Sequence, residues 1–307
     1  MVKVSDTRKA HAAVLATNVL FAANYSVIKY ITPSAIKPFG LNVARVLVSV
    51  VLFWAMYILK PSSATIQRKH IPRFLVCAAT GIAINQTFFI TGLSLTLSIH
   101  AALLMLACPI FITFIAAMLL KETITINKIS GLLIGIAGSV ILISNKENSG
   151  SGTNILLGDI FIIVNAVSYG FYMVVVRPLM EAYSPIHVMR WIFTLGAIMI
   201  VPFGWQQFME VDWNTLGKPE WIALSFVIVG GTFLPYLFNI YGIRHIGASA
   251  TGAYIYTQPV FAAIIAILFW GEHFNWQKLV AALFIFAGVF LVNMKQKERR
   301  DQPATQL

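Results

Sequence analysis

Residues 107–122 read ACPIFITFIAAMLLKE, and residues 257–272 read TQPVFAAIIAILFWGE. Each sets a proline and a glutamate thirteen residues apart in an otherwise apolar stretch, and the two stretches stand 150 positions apart. Laid without a gap, residues 92–143 match 242–293 at ten of fifty-two positions. The identities include Gly92 with Gly242, Pro109 with Pro259, Phe111 with Phe261, Glu122 with Glu272, Lys128 with Lys278 and Gly138 with Gly288. The match runs on upstream, where FAANYSVIK (21–29) is similar to YGFYMVVVR (169–177), and Arg45 after Pro38 to Arg190 after Pro185. The chain therefore reads as two copies of one unit, residues 1–148 and 149–294, followed by a tail over 295–307.

Composition says what kind of unit this is. Hydrophobic residues make up 58% of the chain and charged residues 11%, with a mean hydropathy of +0.80. That leaves too little polar surface to coat a soluble globule of 307 residues, so an integral membrane protein is expected. The formal charge of +11 does not point to nucleic acid, because Lys and Arg punctuate apolar runs instead of gathering on one face. Cys77 and Cys108 both fall inside apolar runs, which supports no disulfide framework.

A helix needs about 20 apolar residues to cross a hydrocarbon core about 30 Å thick. Ten runs near that length occur, at 10–30, 38–59, 74–95, 100–120, 128–144, 155–176, 186–205, 220–243, 248–270 and 277–294. The expected fold is all-α, with ten transmembrane helices, five to each copy. Counting Lys and Arg in alternate loops gives fifteen on the side of the two termini and five on the other, which places both termini in the cytoplasm. Because five is odd, a first copy that begins inside forces the second to begin outside. The copies are then inverted repeats, the architecture of secondary transporters whose site lies at the repeat interface. The first run is longer than the apolar core of a secretory leader and is interrupted by Asn18 and Asn24, so a retained span is expected.

These stretches also resemble a known family. FAANYSVIK (21–29), Arg45, PIFITFIAAMLLKE (109–122), PVFAAIIAILFWGE (259–272) and GLLIGIAGSVILI (131–143) are similar to the two EamA-type repeats of the drug/metabolite transporter superfamily. The resemblance covers nearly the whole chain. It implies a ten-helix permease with cytoplasmic termini and a central cavity lined by the first to fourth and sixth to ninth spans, the fifth and tenth packing at the side. Where the family pattern carries Trp-Gly early in each half, this chain has Phe21-Ala22 and Tyr169-Gly170. Amino-acid and metabolite exporters and, more distantly, nucleotide-sugar and sugar-phosphate exchangers share the pattern, so the resemblance implies a mechanism before it implies a ligand.

Polar and aromatic residues near the middle of the runs are the candidates for a substrate-binding lining. They are Asn24 and Tyr25 in the first run, Arg45 in the second, Asn85 and Gln86 in the third, Tyr169 and Tyr172 in the sixth, Tyr236 and Asn239 in the eighth, and Tyr254 and Gln258 in the ninth. Asn18 and Asn165 are further polar residues near run centres. Pairs three or four apart, such as Tyr236 with Asn239, share a helix face. A pocket of rings and amides suits a modest amphipathic molecule, although each side chain taken singly reads equally well as an interhelical hydrogen bond. Arg45, some seven residues into its run, faces a cavity or reaches for the interface, as does the shallower Arg190. Glu122 and Glu272 lie about 20 Å along their helices from Pro109 and Pro259. That depth makes them structural braces or gating acids, and the prolines packing kinks or sources of a free carbonyl.

Other functions lack their parts. There is no Gly-x4-Gly-Lys-Ser/Thr loop for ATP, and no cofactor is expected. Histidines 11, 70, 100, 187, 245 and 273 never fall three or four apart and no HExxH occurs, so no metal site is expected and the chain reads as a non-enzyme. The expected partners are a small-molecule substrate and the lipid bilayer, not nucleic acid, with the chain a monomer or a homodimer. The expected function is efflux of small neutral or zwitterionic metabolites, amino acids among them, across the plasma membrane by alternating access. The alternatives are an exchanger of anionic or phosphorylated metabolites, which would want several cations at mid-depth where only Arg45 comes close, and a receptor or scaffold that moves nothing.

Overall fold

The structure, a computed structural model, describes residues 4–32, 34–59, 65–96, 101, 104–144, 154–270 and 276–294. Among the described residues there are helices and turns and no strand. Hydrocarbon offers no partner to a backbone N–H or C=O, and a helix satisfies both within itself. Helices α1 (Val4–Ile31) and α2 (Pro38–Leu59) open the chain. A third rod joins a 3-10 turn (Arg68–His70), α3 (Ile71–Ala78), a π-helical stretch (Ala79–Ile84) and α4 (Asn85–Leu95). α5 (Cys108–Leu120) and α6 (Ile126–Ser144) complete the first half.

The second half repeats the plan. α7 (Ile155–Val175), with the short α8 (Arg177–Ala182), precedes α9 (Pro185–Met209). α10 (Lys218–Ile228), a second π-helical stretch (Val229–Phe233) and α11 (Leu234–Ile246) form another broken rod. α12 (Ala248–Ala253), a 3-10 turn (Tyr254–Thr257), α13 (Gln258–Trp270) and α14 (Trp276–Asn293) follow. Among the described residues six rods are long and apolar enough to cross a membrane, and Cys108–Leu120, Ile126–Ile141 and Leu279–Asn293 are shorter apolar helices. The tail over 295–307 lies outside the described residues.

Local chemistry sets several helix ends. Asn154 accepts a hydrogen bond from the Leu157 amide at 3.2 Å, and Ser184 accepts one from His187 at 3.3 Å, so each caps the helix that follows. Pro185 then occupies the first turn of α9, where a missing N–H costs nothing. Gly247 parts α11 from α12 at φ +86°, a left-handed conformation that a Cβ would disfavour. Pro109 sits in the first turn of α5, and Pro259 is the second residue of α13. Neither proline therefore interrupts a helix interior.

The two halves touch through matching residues. Positions 150 apart in the third to fifth runs, and 148 apart in the first and sixth, occupy corresponding contacts. Gly92 packs on Ile162, and Gly242 on Val14. Gly81 lies under the Tyr172 ring, and Gly231 under the Asn24 amide. A Cβ on Gly131 would stand 2.6 Å from the Gly288 carbonyl oxygen, and one on Gly138 2.8 Å from that of Ala281. Helix pairs obey the same exchange: α1 with α11 answers α7 with α4, α13 with α1 answers α5 with α7, while α2 meets α9 and α6 meets α14. A pseudo-two-fold relation between the halves accounts for all of these pairs. Small residues at the crossings let backbones approach, and close packing is the attraction available between helices in lipid.

Candidate functional site

At the interface of the halves lies a cavity of about 70 Å³. Of the eleven side chains the sequence nominates, eight line it: Asn24, Tyr25, Arg45, Asn85, Gln86, Tyr169, Tyr236 and Gln258. Gln86 and Tyr236 are mates 150 positions apart, and they meet, with Gln86 Nε2 donating to the Tyr236 hydroxyl at 3.3 Å. That hydroxyl donates to the Gly81 carbonyl at 2.7 Å. Asn165 Nδ2 donates to the Asn85 carbonyl at 2.7 Å, and Thr17 Oγ1 makes the mate of that contact to the Pro235 carbonyl at 3.5 Å. Gln258 Nε2 donates to Asn18 Oδ1 at 2.9 Å.

Arg45 is the charge of the site. It is only 4% exposed, and its Nε donates to Thr232 Oγ1 at 2.9 Å. Thr232 can serve because it lies in the second π-helical stretch and donates its own proton to the Val227 carbonyl, five residues back, at 2.9 Å. The widened turn thus presents a hydroxyl lone pair to the guanidinium. The matching stretch, Ala79–Ile84, frees the Gly81 carbonyl for Tyr236 and delivers Asn85 and Gln86 at its end. Inserted π turns often sit at functional sites, and here both do.

Among the described residues, four buried polar atoms on this lining have no partner: Asn24 Oδ1, Arg45 Nη1, Gln86 Oε1 and Asn165 Oδ1. Leaving such groups unpaired costs on the order of 1–3 kcal/mol each, more when charged. Together they are one cationic donor and three amide acceptors around a single space. Phe21, Tyr25, Phe89 and Met105 give it apolar walls, with the Tyr25 and Phe89 rings edge to face at 5.3 Å.

The remaining three nominated residues lie elsewhere. Tyr172 is wholly packed, its ring over Gly81 and its hydroxyl 3.9 Å from Met189 Sδ. Asn239 donates to the Tyr169 hydroxyl at 2.6 Å and so orients a lining residue from behind. Tyr254 meets His11 through a 2.8 Å contact between its hydroxyl and Nδ1. Conversely, Phe89, Met105, Gly231 and Ile255 line the cavity without having been singled out. Three are apolar side chains like dozens facing lipid, while the Gly230-Gly231 pair inside an apolar run carried a signal of close backbone approach.

Comparison with known proteins settles the family. The model of the EamA-like transporter family matches residues 8–144 and again residues 156–294. The chain belongs to that family. This EamA-like transporter is 24% identical to a WAT1-related protein of Arabidopsis thaliana over 96% of this chain and 88% of the relative. It is equally 24% identical to an "Uncharacterized transporter" of Archaeoglobus fulgidus, over 94% of this chain and 99% of that one. A protein of Streptantibioticus cattleyicolor named "Probable terminal-alkyne amino-acid exporter" is 24% identical over 77% and 78% of the two chains. A solved crystal structure shares the fold, with a TM-score of 0.74 at 18% identity, over 94% of this chain and 96% of its own. The protein is a multi-pass membrane transporter and not an enzyme.

In this EamA-like transporter Glu122 forms an ionic knot at one end of the bundle. Its Oε1 accepts from Arg177 Nη1 at 2.5 Å, and its Oε2 from Lys128 Nζ at 3.1 Å and Ser249 Oγ at 2.7 Å. One carboxylate thereby joins the end of α5 to α6, α8 and α12. Going inward from Ser249, the same face is closed by His11 with Tyr254 and then Asn18 with Gln258. Glu272 lies outside the described residues. Among the described residues no cluster of His, Cys, Asp or Glu is arranged to hold a metal.

Proposed function

We propose that this transporter moves small neutral or zwitterionic metabolites, amino acids among them, out across the plasma membrane by alternating access. The observation that carries the reading is the set of four unpaired polar atoms on one cavity between the halves. A carboxylate satisfies Arg45 Nη1, an ammonium satisfies the amide oxygens of Asn24, Gln86 and Asn165, and the rings receive an apolar remainder. A single arginine balances a single carboxylate, which favours a zwitterion over a phosphate dianion. The relative named as an amino-acid exporter supports both the class and the direction.

The two-fold contacts between halves support inverted repeats of five spans each, residues 1–148 and 149–294, and the excess of Lys and Arg on the side of the termini supports cytoplasmic ends. Two such halves exchange their contacts at similar energy, which is the physical basis of alternating access. A cavity of about 70 Å³ is well below the roughly 300 Å³ at which small-molecule sites begin, so the helices part to admit cargo. Parting at the Glu122 end breaks its bonds to Arg177 and Ser249, which makes Glu122 a gating acid. Pro109 and Pro259 begin the helices on which such parting hinges. A monomer and a homodimer both accommodate this cycle, since each chain holds a whole site.

A thermal-shift panel on the purified protein tests the reading, because a ligand of the folded state raises the melting temperature by mass action. Neutral amino acids are expected to stabilise it. Stabilisation by sugar phosphates alone would give the site to anion exchange, and no response to amino acids, polyamines, nucleosides or sugar phosphates would remove the reading.

A further inference from the structure

A second concavity lies away from the central cavity, on the outside of the bundle where the third rod runs beside α7. It is an open groove of about 530 Å³ with Lys69, His70 and Arg73 at one end and Val76, Phe171 and Val175 along its apolar sides. The two helices run antiparallel here, since Gly92 meets Ile162 near one end while Gly81 meets Tyr172 near the other. The start of the rod therefore lies beside the end of α7. Both rods are long and apolar enough to span the membrane. The groove thus begins at a membrane surface with cations and continues into the apolar zone with hydrocarbon.

The side-chain spacing makes this a graded site. Lys69, Arg73 and Val76 fall at i, i+4 and i+7, so charge passes to hydrocarbon along one helix face. Phe171 and Val175, one turn apart, form the opposite wall. Lys69 and Arg73 are exposed and take part in none of the ion pairs among the described residues, which use Lys37, Lys128 and Arg177. Among the described residues no carboxylate lines the groove. His70 is fixed beside them, its Nδ1 2.8 Å from the Tyr183 hydroxyl.

We propose that this groove is a binding site for an anionic phospholipid, whose phosphate lies between Lys69 and Arg73 and whose acyl chain lies along Val76, Phe171 and Val175. Two uncompensated cations prefer an anionic headgroup to a zwitterionic one, since each basic residue near an anionic surface adds attraction. The apolar sides select a lipid over a soluble phosphate, which has nothing to place there.

Native mass spectrometry of the full chain, offered phosphatidylglycerol and phosphatidylcholine in equal limiting amounts, tests the site. Wild-type protein is expected to retain phosphatidylglycerol over phosphatidylcholine by on the order of tenfold. The Lys69→Gln/Arg73→Gln variant should lose that preference, while Lys121→Gln/Arg244→Gln, which removes two exposed cations elsewhere, should keep it. Melting curves without added lipid check that both variants fold, and a Lys69→Arg variant should retain the preference in any case. Equal retention of the two lipids by wild type, or equal loss in both double variants, would overturn the proposal. So would displacement of the bound lipid by millimolar inorganic phosphate. A dimer that Lys69→Gln/Arg73→Gln splits without changing lipid retention would give the groove to a second copy of the chain and equally end it.

Discussion

Arg45 and Arg190 stand seven and five residues past the prolines that open α2 and α9 and are buried almost equally, at 4% and 5% exposed, yet two residues turn a helix by about 200° and their surroundings share little. Arg45 has a hydroxyl on Nε, an unpaired Nη1 and an open space beside it. Arg190 is caged. Its Cζ lies 3.3 Å from the centroid of Tyr57, 4.8 Å from Trp54 and 5.5 Å from Trp191, and its Nη2 lies 3.0 Å from His187 Nδ1. Trp54 is itself held by its indole N–H donating to Thr194 at 2.9 Å. A buried guanidinium needs compensation. Ring faces supply much of it for Arg190, whose Nε is likewise unpaired among the described residues, and in the proposed function a ligand supplies it for Arg45. One arginine is thus closed into packing, while the other faces the cavity that we propose holds cargo.

The sharpest way to break this comparison is to neutralise each arginine. Arg45→Gln is expected to weaken amino-acid binding, read by titrating the thermal shift, by about 30-fold or more, the usual result of removing one partner of a desolvated charge pair. Arg190→Gln should leave binding intact and lower the melting temperature without ligand. Equal losses of binding would erase the distinction. A next smaller effect concerns the two-fold relation on which the comparison rests. Gly131→Val and Gly138→Val drive side chains into the matching carbonyls of Gly288 and Ala281, and each should destabilise by about 1–3 kcal/mol. Similar drops in melting temperature sharpen the symmetry, whereas a cost at one position only would undo it.

Tyr57→Leu removes the closest ring from Arg190 and should cost about 0.5–2 kcal/mol of stability, with transport unchanged. Reduced transport would mean that the cage is not passive. The smallest effect belongs to the exposed pair Lys37 and Glu210, 2.6 Å apart. The hydrogen bond from Lys37, with its charge, holds the Glu210 carboxyl below its usual range. Its contribution is present above the unfolded carboxyl's pKa and is lost as pH falls through the lowered folded value. In Lys37→Ala that slight acid sensitivity should shrink in a melting-temperature profile, the Gln206 hydrogen bond to the same carboxylate remaining, and a large change would show a role beyond a surface pair.

Much of the architecture was legible in advance because hydrocarbon leaves few solutions. Run length pointed to the apolar helices, six of them long enough to span among the described residues, and residues such as Pro109, Glu122, Gly92 and Gly138, present in both copies, reveal the repeat. The site was partly legible for the same reason, since an amide or arginine within an apolar run must find a partner, and eight nominated residues meet on one cavity. What periodicity could not tell is which polar groups satisfy one another. Asn239 bonds to Tyr169, and Tyr254 to His11, pairings that spacing along one helix does not reveal. The π-helical stretches were also missed, although Gly81 and Gly230-Gly231 mark them, because an inserted residue changes which side chains share a face without changing composition. Phe89 and Met105 are indistinguishable in sequence from apolar residues that face lipid.

The central claim is that cargo with a carboxylate passes through the cavity between the halves and is held there by Arg45. Counterflow in proteoliposomes tests it most directly, with a labelled neutral amino acid outside and the same amino acid unlabelled inside. The account predicts transient accumulation of label by wild type and Arg190→Gln, and none by Arg45→Gln reconstituted to the same level. Accumulation by Arg45→Gln equal to that of wild type would contradict it.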